Sequence, residues 1–581
     1  MPIYDTILAR GYFPKELPPA FYTDQFAQFA RTATGRATLA HPPAKLSTSP
    51  IRYRVARVGL VHRDFRIAHP QSFYTLTRLI ARNFSKLLKL SGRSSFSRSR
   101  PVFAAHKHRA IDTAYKPKNL SREKANARAG ALFLLKADIA QFYPSLYTHA
   151  VAWCVSPSTI KRENRYNAAL GNTLDAAIRS TQGLVSQGIQ IGSDISFLVG
   201  EIVLNRIDKS LKDLACGYYR WFDDYELSFY TRDEAERALA KLTRELEKYR
   251  LRLNPAKTYI VPLPEPTDDE WYATIKARSR WLTTERDFID YFDVAYRMSH
   301  AFQAAPVLKY TVGLLFKISA PRQDVGRIAE SAISQIVLRE PGAAQKAFSL
   351  LRYWSLNGYN LNDALWSATV GSIVLKHESS GANSDVAWAL AFALEQSLGL
   401  DKRASKVLEE LHDDVTGLMT LDLHARNLLH PSFSAARIER ALANIDLDGE
   451  HWLLGYESCR QGFLNSTLPA VTAHRLFGPL HAAGVSFYRR QMPSYASVIH
   501  PGGSPEWIAR QWIHDVLQNV DEETRLPLLE LIRGDVNALH PRPDVQTSHD
   551  EIVAALLASL EPPLALGPAD DTDDEPDEYV D

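Results

Sequence analysis

Cysteine is nearly absent: Cys154, Cys216 and Cys459 are the only three in 581 residues, far apart and with no CxxC spacing. That excludes a disulfide framework and a cysteine-based zinc cluster, and it suits a reducing cytosol. Long apolar runs are missing too. No stretch reaches the roughly 18 apolar residues a membrane span needs, and the N-terminal MPIYDTILARGYFPKELPPA lacks the apolar core of a signal peptide. The chain therefore reads as an unprocessed cytoplasmic protein with no membrane partner. With 45% hydrophobic and 23% charged residues, it is too apolar to be disordered and too long for one core, so two or three domains are expected.

The formal net charge of +2 hides a strong asymmetry. Residues 51–130 carry 19 Lys and Arg against 3 Asp and Glu, whereas 570–581 hold eight acids and no base. The first segment suits a polyanion, with Arg98 and Arg100 as phosphate-binding candidates, and the second repels one. His106-Lys107-His108 has no acidic or cysteine companions at ligand spacing and reads as basic surface.

Strand-like runs at 132–139 and 217–229 lie among helical patterns at 72–89, 195–214 and 234–249, an α+β signature. VPLPEPT at 261–267 alternates three prolines, which neither a helix nor a central strand accommodates, so a boundary falls there. From 271 to about 560 the pattern is helical, for instance over 325–339, 343–355 and 386–398, with no strict repeat. An α-solenoid or irregular helical array is expected. The tail at 561–581 is proline-rich and then acidic, and should be disordered.

Two segments carry the chemistry. Apolar residues lead through Lys136 and Ala137 to Asp138, placing a carboxylate at the end of a buried strand, where it needs a cation unless it merely caps the next helix. In GYYRWFDDYELSFY at 217–230, the pair Asp223-Asp224 falls in a hairpin turn flanked by apolar residues. One strand-end Asp and a hairpin pair 85 residues later meet the needs of two-metal phosphoryl transfer, with hard carboxylate oxygens as the ligands magnesium prefers. The glycine-punctuated loop at 187–192, with Gln187 and Gly188, permits close approach to a nucleotide, and an Asn-Pro turn presents Lys257. His149, Tyr147 and Trp153 read as packing residues.

In series, DIAQFYPSLYTH (138–149), QGIQIGSDIS (187–196), RWFDDY (220–225) and LRLNPAKT (251–258) resemble the A, B, C and D motifs of reverse transcriptases. The form FYPSLYTHAVAW is similar to the bacterial antiphage, abortive-infection enzymes of the AbiK and AbiA kind, and RVGLVHRDFRIAHPQSFY (57–74) resembles their fingers motifs. The resemblance covers about 50–265. It implies a right-hand fingers and palm over 1–265 and a helical domain over 271–560 in place of the thumb. It also implies two Mg2+ ions, or Mn2+ in their stead, on Asp138, Asp223 and Asp224. Tyr143 would be the gate against a ribose 2′-hydroxyl, Gln187 and Gly188 would line the nucleotide pocket, and Lys257 would face the pyrophosphate as a proton donor. Arg63 and Arg66 would grip the triphosphate.

The sequence departs from the family in having no clear lysine before Arg63, where Arg57 is a substitute, and in carrying Trp221 where the family has tyrosine at the primer end. The implied function is DNA synthesis in antiphage defence, RNA-directed or template-independent, with protein priming by a tyrosine as one route. The implied partners are dNTPs, a DNA product and a noncoding RNA template, in a homo-oligomer or with another defence subunit. A retron-like enzyme with a partner RNA and an inactive polymerase-fold scaffold remain as alternatives, the latter disfavoured by retention of all three acids.

Overall fold

Strand pairing and helix packing both converge on one four-stranded antiparallel sheet. The computed structural model describes residues 3–40, 47–58, 62–104, 109–160, 167–318, 320–380, 383–411 and 413–491. All belong to the first of two compact units into which the chain divides, 1–503 with 575–581. His106-Lys107-His108, the end of the expected helical domain and the acidic tail lie outside them.

Three short helices open the chain, α1 (Ile3–Arg10), α2 (Asp24–Arg31) and α3 (Ala33–Ala40). An antiparallel hairpin follows, β1 (Ile51–Ala56) with β2 (His62–Ile67). Next come α4 (Pro70–Arg82), α5 (Phe84–Ser91), the small pair β3 (Pro101–Phe103) and β4 (Ile111–Thr113), and α6 (Leu120–Arg128). The helix expected over 72–89 is thus two. Asn83 breaks it, its side-chain amide donating to the Leu79 carbonyl, and so competes with the helical ladder.

The sheet has the order β6-β7-β5-β8, from β5 (Phe133–Asp138), β6 (Gly217–Trp221), β7 (Asp224–Phe229) and β8 (Tyr259–Pro262). Pro262 ends an edge strand, where its missing N–H costs no ladder bond. Alternation sends Leu135, Ala137, Tyr225, Leu227 and Phe229 into the main core. Between β5 and β6 lie α7 (Phe142–Ser145), α8 (Thr148–Val155), α9 (Leu170–Ser180) and α10 (Asp194–Leu211). After β7 runs α11 (Arg232–Lys248), started by a Thr231/Glu234 capping box.

Beyond the proline segment the described chain is helical: α12 (Glu270–Arg278), α13 (Glu285–Ala301), α14 (Val307–Leu314), α15 (Gln323–Arg339), α16 (Ala344–Leu356), α17 (Asp363–Ser380) and α18 (Ser384–Gln396). They continue as α19 (Lys402–Leu408), α20 (Asp414–Ala425), α21 (Ala436–Ala441), α22 (Trp452–Arg460), α23 (Leu468–Ala473) and α24 (Phe477–Ala482). Helices two apart touch: α14, α16, α18, α20 and α22 form one row, and α13, α15, α17 and α19 a second. That is solenoid packing without a sequence repeat.

The helical array does not stand off from the rest. Asn383 and Ser384, at the start of α18, satisfy the free edge of β1: the Arg54 N–H donates to Asn383 Oδ1 at 2.7 Å and the Ala56 N–H to Ser384 Oγ at 2.9 Å. Phe487 packs on Phe13 and Phe26, and Tyr488 on Phe21. The N-terminal helices are therefore wedged between the hairpin and the far end of the array.

Candidate active site

Asp138 is the last residue of β5 and Asp224 the first of β7, and the two are direct cross-strand partners. Such partners present their side chains on one face, Cβ atoms about 4.5–5.5 Å apart. Asp223 precedes Asp224 in the two-residue turn Phe222-Asp223 that closes the β6–β7 hairpin. Phe222 holds φ +49°, a conformation costly for a bulky residue, and its surroundings enforce it. Its N–H donates to Ser99 Oγ (2.9 Å), its carbonyl accepts from the Arg220 guanidinium (2.7 Å), and its ring packs on Trp221 and Phe197.

Beneath the turn is a network that sequence reading missed. Arg220, fully buried, donates to both oxygens of Glu201 (2.9 and 3.1 Å) and to Asp208 (2.8 Å from Nη2), both on α10. Tyr225 donates to Asp208 at 2.8 Å, Ser97 and Ser99 to Glu201 at 3.0 and 2.7 Å, and Ser94 to Asp208. A buried ion pair is tolerable only with its remaining lone pairs met, as here. The network fixes the acidic hairpin to α10 and to the serine-rich 94–99 segment. The available signal was that RWFDDY begins with a charge on a strand otherwise apolar.

Lys257 Nζ lies 3.3 Å from Asp138 Oδ2. The Asn-Pro turn accounts for this: the Asn254 N–H donates to the Asp138 carbonyl (2.8 Å), the Asn254 side chain accepts from Ala256 N, and Lys257 N–H donates to the Asn254 carbonyl. Among the described residues no three His, Cys, Asp or Glu side chains converge as a ready-made ion cage. The donor set nonetheless fits a hard divalent cation. Asp138 and Asp224 are cross-strand partners, Asp223 is the neighbouring turn residue, and the Asp138 carboxylate already attracts an ammonium.

Tyr143 sits in α7 with its ring against the backbone of α10, where a Cβ on Gly200 would meet its hydroxyl at 3.2 Å. Burial raises its pKa most; the carboxylates of Glu201 and Asp223 add to this, and Arg63 and Arg220 oppose it. Tyr143 is therefore within electrostatic reach of both the acidic turn and the fingers hairpin. The 187–192 loop ties these parts together. Gly188 (φ +83°) lies so close to Pro144 that a Cβ would stand 3.0 Å from its carbonyl, and its N–H donates to Leu146. Gln187 donates to the Ser145 carbonyl (2.8 Å), Ile189 N–H to that of Tyr143 (2.9 Å), and Arg66 N–H to that of Ile191 (3.1 Å).

Arg63 and Arg66 do not act as a pair on one face. Three residues apart on β2, they project to opposite faces, Arg63 sharing its face with Phe65. Arg98 is not a free phosphate ligand either. It donates to Glu123 (2.9 Å) and to the Ser95 and Phe96 carbonyls, and it stacks with Arg100 on Tyr115. Exposed cations of this region include Arg82, Lys86, Lys89 and Arg93 along α5 and its ends. Trp221 is buried against Leu120 and Tyr219 on the face α6 covers, where Arg128 and Lys124 also engage Glu226. His149 pairs with Asp175 at 2.9 Å, and Tyr147 meets the His149 and Trp153 rings edge-on, as a packing residue does. Asp194, unnoticed in sequence, accepts from Arg109, Ala110 N–H and Ile111 N–H and anchors the start of α10.

Residues 70–282 match the family described as reverse transcriptase (RNA-dependent DNA polymerase). The match begins after the β1–β2 hairpin and runs through α12. No curated protein sequence matches the chain. Among solved structures, apo telomerase from Candida tropicalis aligns at 10% identity over 60% of this chain and 70% of that one, with a TM-score of 0.30. Telomerase from Candida albicans, in complex with a fragment of telomeric RNA, aligns at 13% identity over 67% of each chain, TM-score 0.26. No helix among the described residues is long and apolar enough to cross a membrane. The chain carries a reverse transcriptase domain, and with it the nucleotidyltransferase activity of an RNA-directed DNA polymerase.

Proposed function

We propose that Asp138, Asp223 and Asp224 hold two Mg2+ ions and that the chain uses them to transfer deoxynucleotides in bacterial antiphage defence. The observation that carries the site is the cross-strand register of Asp138 with Asp224, with Lys257 Nζ 3.3 Å from the Asp138 carboxylate. When bound, the ions supply charge neutralisation at the transferring phosphoryl group and ease deprotonation of the attacking hydroxyl. The chain's own residues do the rest. The three carboxylates supply the ligands, Tyr143 closes the sugar pocket beside α10, and Gln187 and Gly188 line its floor. Lys257 provides positive charge and a proton for the departing pyrophosphate.

The defence role and the tyrosine primer rest on the likeness of FYPSLYTHAVAW to the abortive-infection enzymes. In this reading the helical array from α12 onward stands in for the thumb, and the exposed cations Arg82, Lys86, Lys89 and Arg93 bind nucleic-acid phosphates. The full chain, given Mg2+ and labelled dNTPs, should form acid-insoluble product, and with a tyrosine primer the label should stay on the protein through a denaturing gel. No incorporation with either Mg2+ or Mn2+, with and without added RNA, would refute the assignment.

A further inference from the structure

Six of the eight tryptophans among the described residues are buried and Trp153 is half-buried, but Trp281 is 79% exposed. One exposed apolar side chain needs no explanation by itself. Here the neighbours supply one. Trp281 lies in the short connection between α12 and α13, and WYATIKARSRWLTT at 271–284 holds Lys276, Arg278 and Arg280 with no acid. Arg278 and Arg280 are exposed, and among the described residues neither makes an ion pair.

The local structure holds the indole outward. The Ser279 N–H donates to the Ile275 carbonyl (3.0 Å) and its hydroxyl to the Lys276 carbonyl (2.9 Å), which ends α12. Leu282 turns back against the core. Asp287 Oδ2 accepts the N–H groups of Thr283 (3.2 Å) and Thr284 (2.8 Å) in the capping box that starts α13. The connection is thus fixed at both ends. The box occupies Asp287, and Arg286 pairs with Asp290 at 2.8 Å, so Glu285 is the acid left beside Arg280. Lys276 packs over the Tyr272 ring, and both it and Arg278 suit the C-terminal end of a helix dipole. Arg280 and Trp281 lie beyond that end and have no such structural reason.

We propose that this loop is a stacking platform for single-stranded nucleic acid, with one unpaired base lying on the Trp281 indole and Arg278 and Arg280 meeting the flanking phosphates. Every base offers a π-face to an indole, and a guanidinium matches a phosphate in shape and charge. Bases in a duplex are stacked on one another and present no free face, so the platform selects an unpaired strand. An indole also suits a protein interface, but cations unrelieved by acid favour a polyanion. The platform stands on the array side of the proline boundary, apart from the three aspartates. It rests on the polymerase reading only for the presence of such strands.

The test measures fluorescence anisotropy of labelled oligo(dT), oligo(rU) and a DNA duplex with the full chain, without dNTP or metal, so that failure here is separate from failure of nucleotidyl transfer. The proteins are the wild type, Trp281→Ala, Trp281→Phe and the double variant Arg278→Ala, Arg280→Ala. Loss of one stacked base predicts about tenfold weaker single-strand binding by Trp281→Ala, with most of it kept by Trp281→Phe and duplex affinity unchanged. The strand with the larger loss is the one the platform holds. The double arginine variant should flatten the dependence of single-strand affinity on log salt by about one to two units, and Trp281→Ala should leave that slope as it is. Because Trp281 is exposed, melting temperatures should match. Unchanged single-strand affinity in Trp281→Ala overturns the proposal and leaves the indole to a protein partner, and an equal loss for duplex and single strands overturns it as well.

Discussion

At Arg220, one side chain decides whether the acidic turn keeps its shape. Its guanidinium neutralises Glu201 and Asp208 and holds the Phe222 carbonyl, so Arg220→Met leaves two buried carboxylates uncompensated. Breaking a buried pair from one side costs about 3–5 kcal/mol, and replacing all members with apolar residues recovers much of it. Urea denaturation should show that loss for Arg220→Met and a partial recovery for the triple variant Arg220→Met, Glu201→Leu, Asp208→Met. Equal stability of wild type and Arg220→Met would remove the network's structural role. Tyr143 makes a different prediction. Tyr143→Ala should raise ribonucleotide use relative to deoxynucleotide use, and an unchanged ratio would show that the ring is not the gate. The aspartates were legible because apolar neighbours flank charges at strand ends. The network was not, since nothing in the sequence ties Glu201 and Asp208, seven residues apart on α10 and both buried, to Arg220.

At the level of elements, the sheet and its hairpin follow from alternation: Leu135, Ala137, Tyr225 and Leu227 on one face, Asp138 and Asp224 on the other. What composition does not show is which cations are already engaged. Arg98 and Arg100 belong to a dense basic run, but Glu123 and Tyr115 hold them. Lys86 and Lys89, three apart on α5 and exposed, are the better candidates for phosphate contact. Charge reversal of both should weaken nucleic-acid affinity and flatten its dependence on log salt by roughly one to two units of slope. A slope equal to that of the wild type, read from binding isotherms at several salt concentrations, would place the contact elsewhere. The aromatic run of α13 teaches the same lesson. In sequence the run 288–302, with Tyr291, Phe292 and Tyr296, looks suited to cover an apolar palm or fingers surface, but Phe288, Tyr291 and Phe292 are buried where α13 meets α12, α14 and α15, and the Tyr291 hydroxyl donates to the Thr311 carbonyl.

Across the whole molecule, the proline boundary at 261–267 separates patterns without freeing the parts. Arg128 clamps the Glu265 and Pro266 carbonyls to α6, while α18 completes the β1 edge and Phe487 and Tyr488 cover the N-terminal helices. Truncation after Pro266 exposes that edge and those rings, so the fragment should be insoluble or inactive, and a soluble, active fragment would show the array to be dispensable. The contacts of α18, Phe487 and Tyr488 were illegible in sequence because their members lie more than 300 residues apart. Whether Asp138, Asp223 and Asp224 form one metal site is decided by labelled dNTP incorporation with purified Asp224→Asn. Incorporation should fall at least about a hundredfold at unchanged thermal stability, and a rate near that of the wild type would show that the three carboxylates hold no catalytic metal.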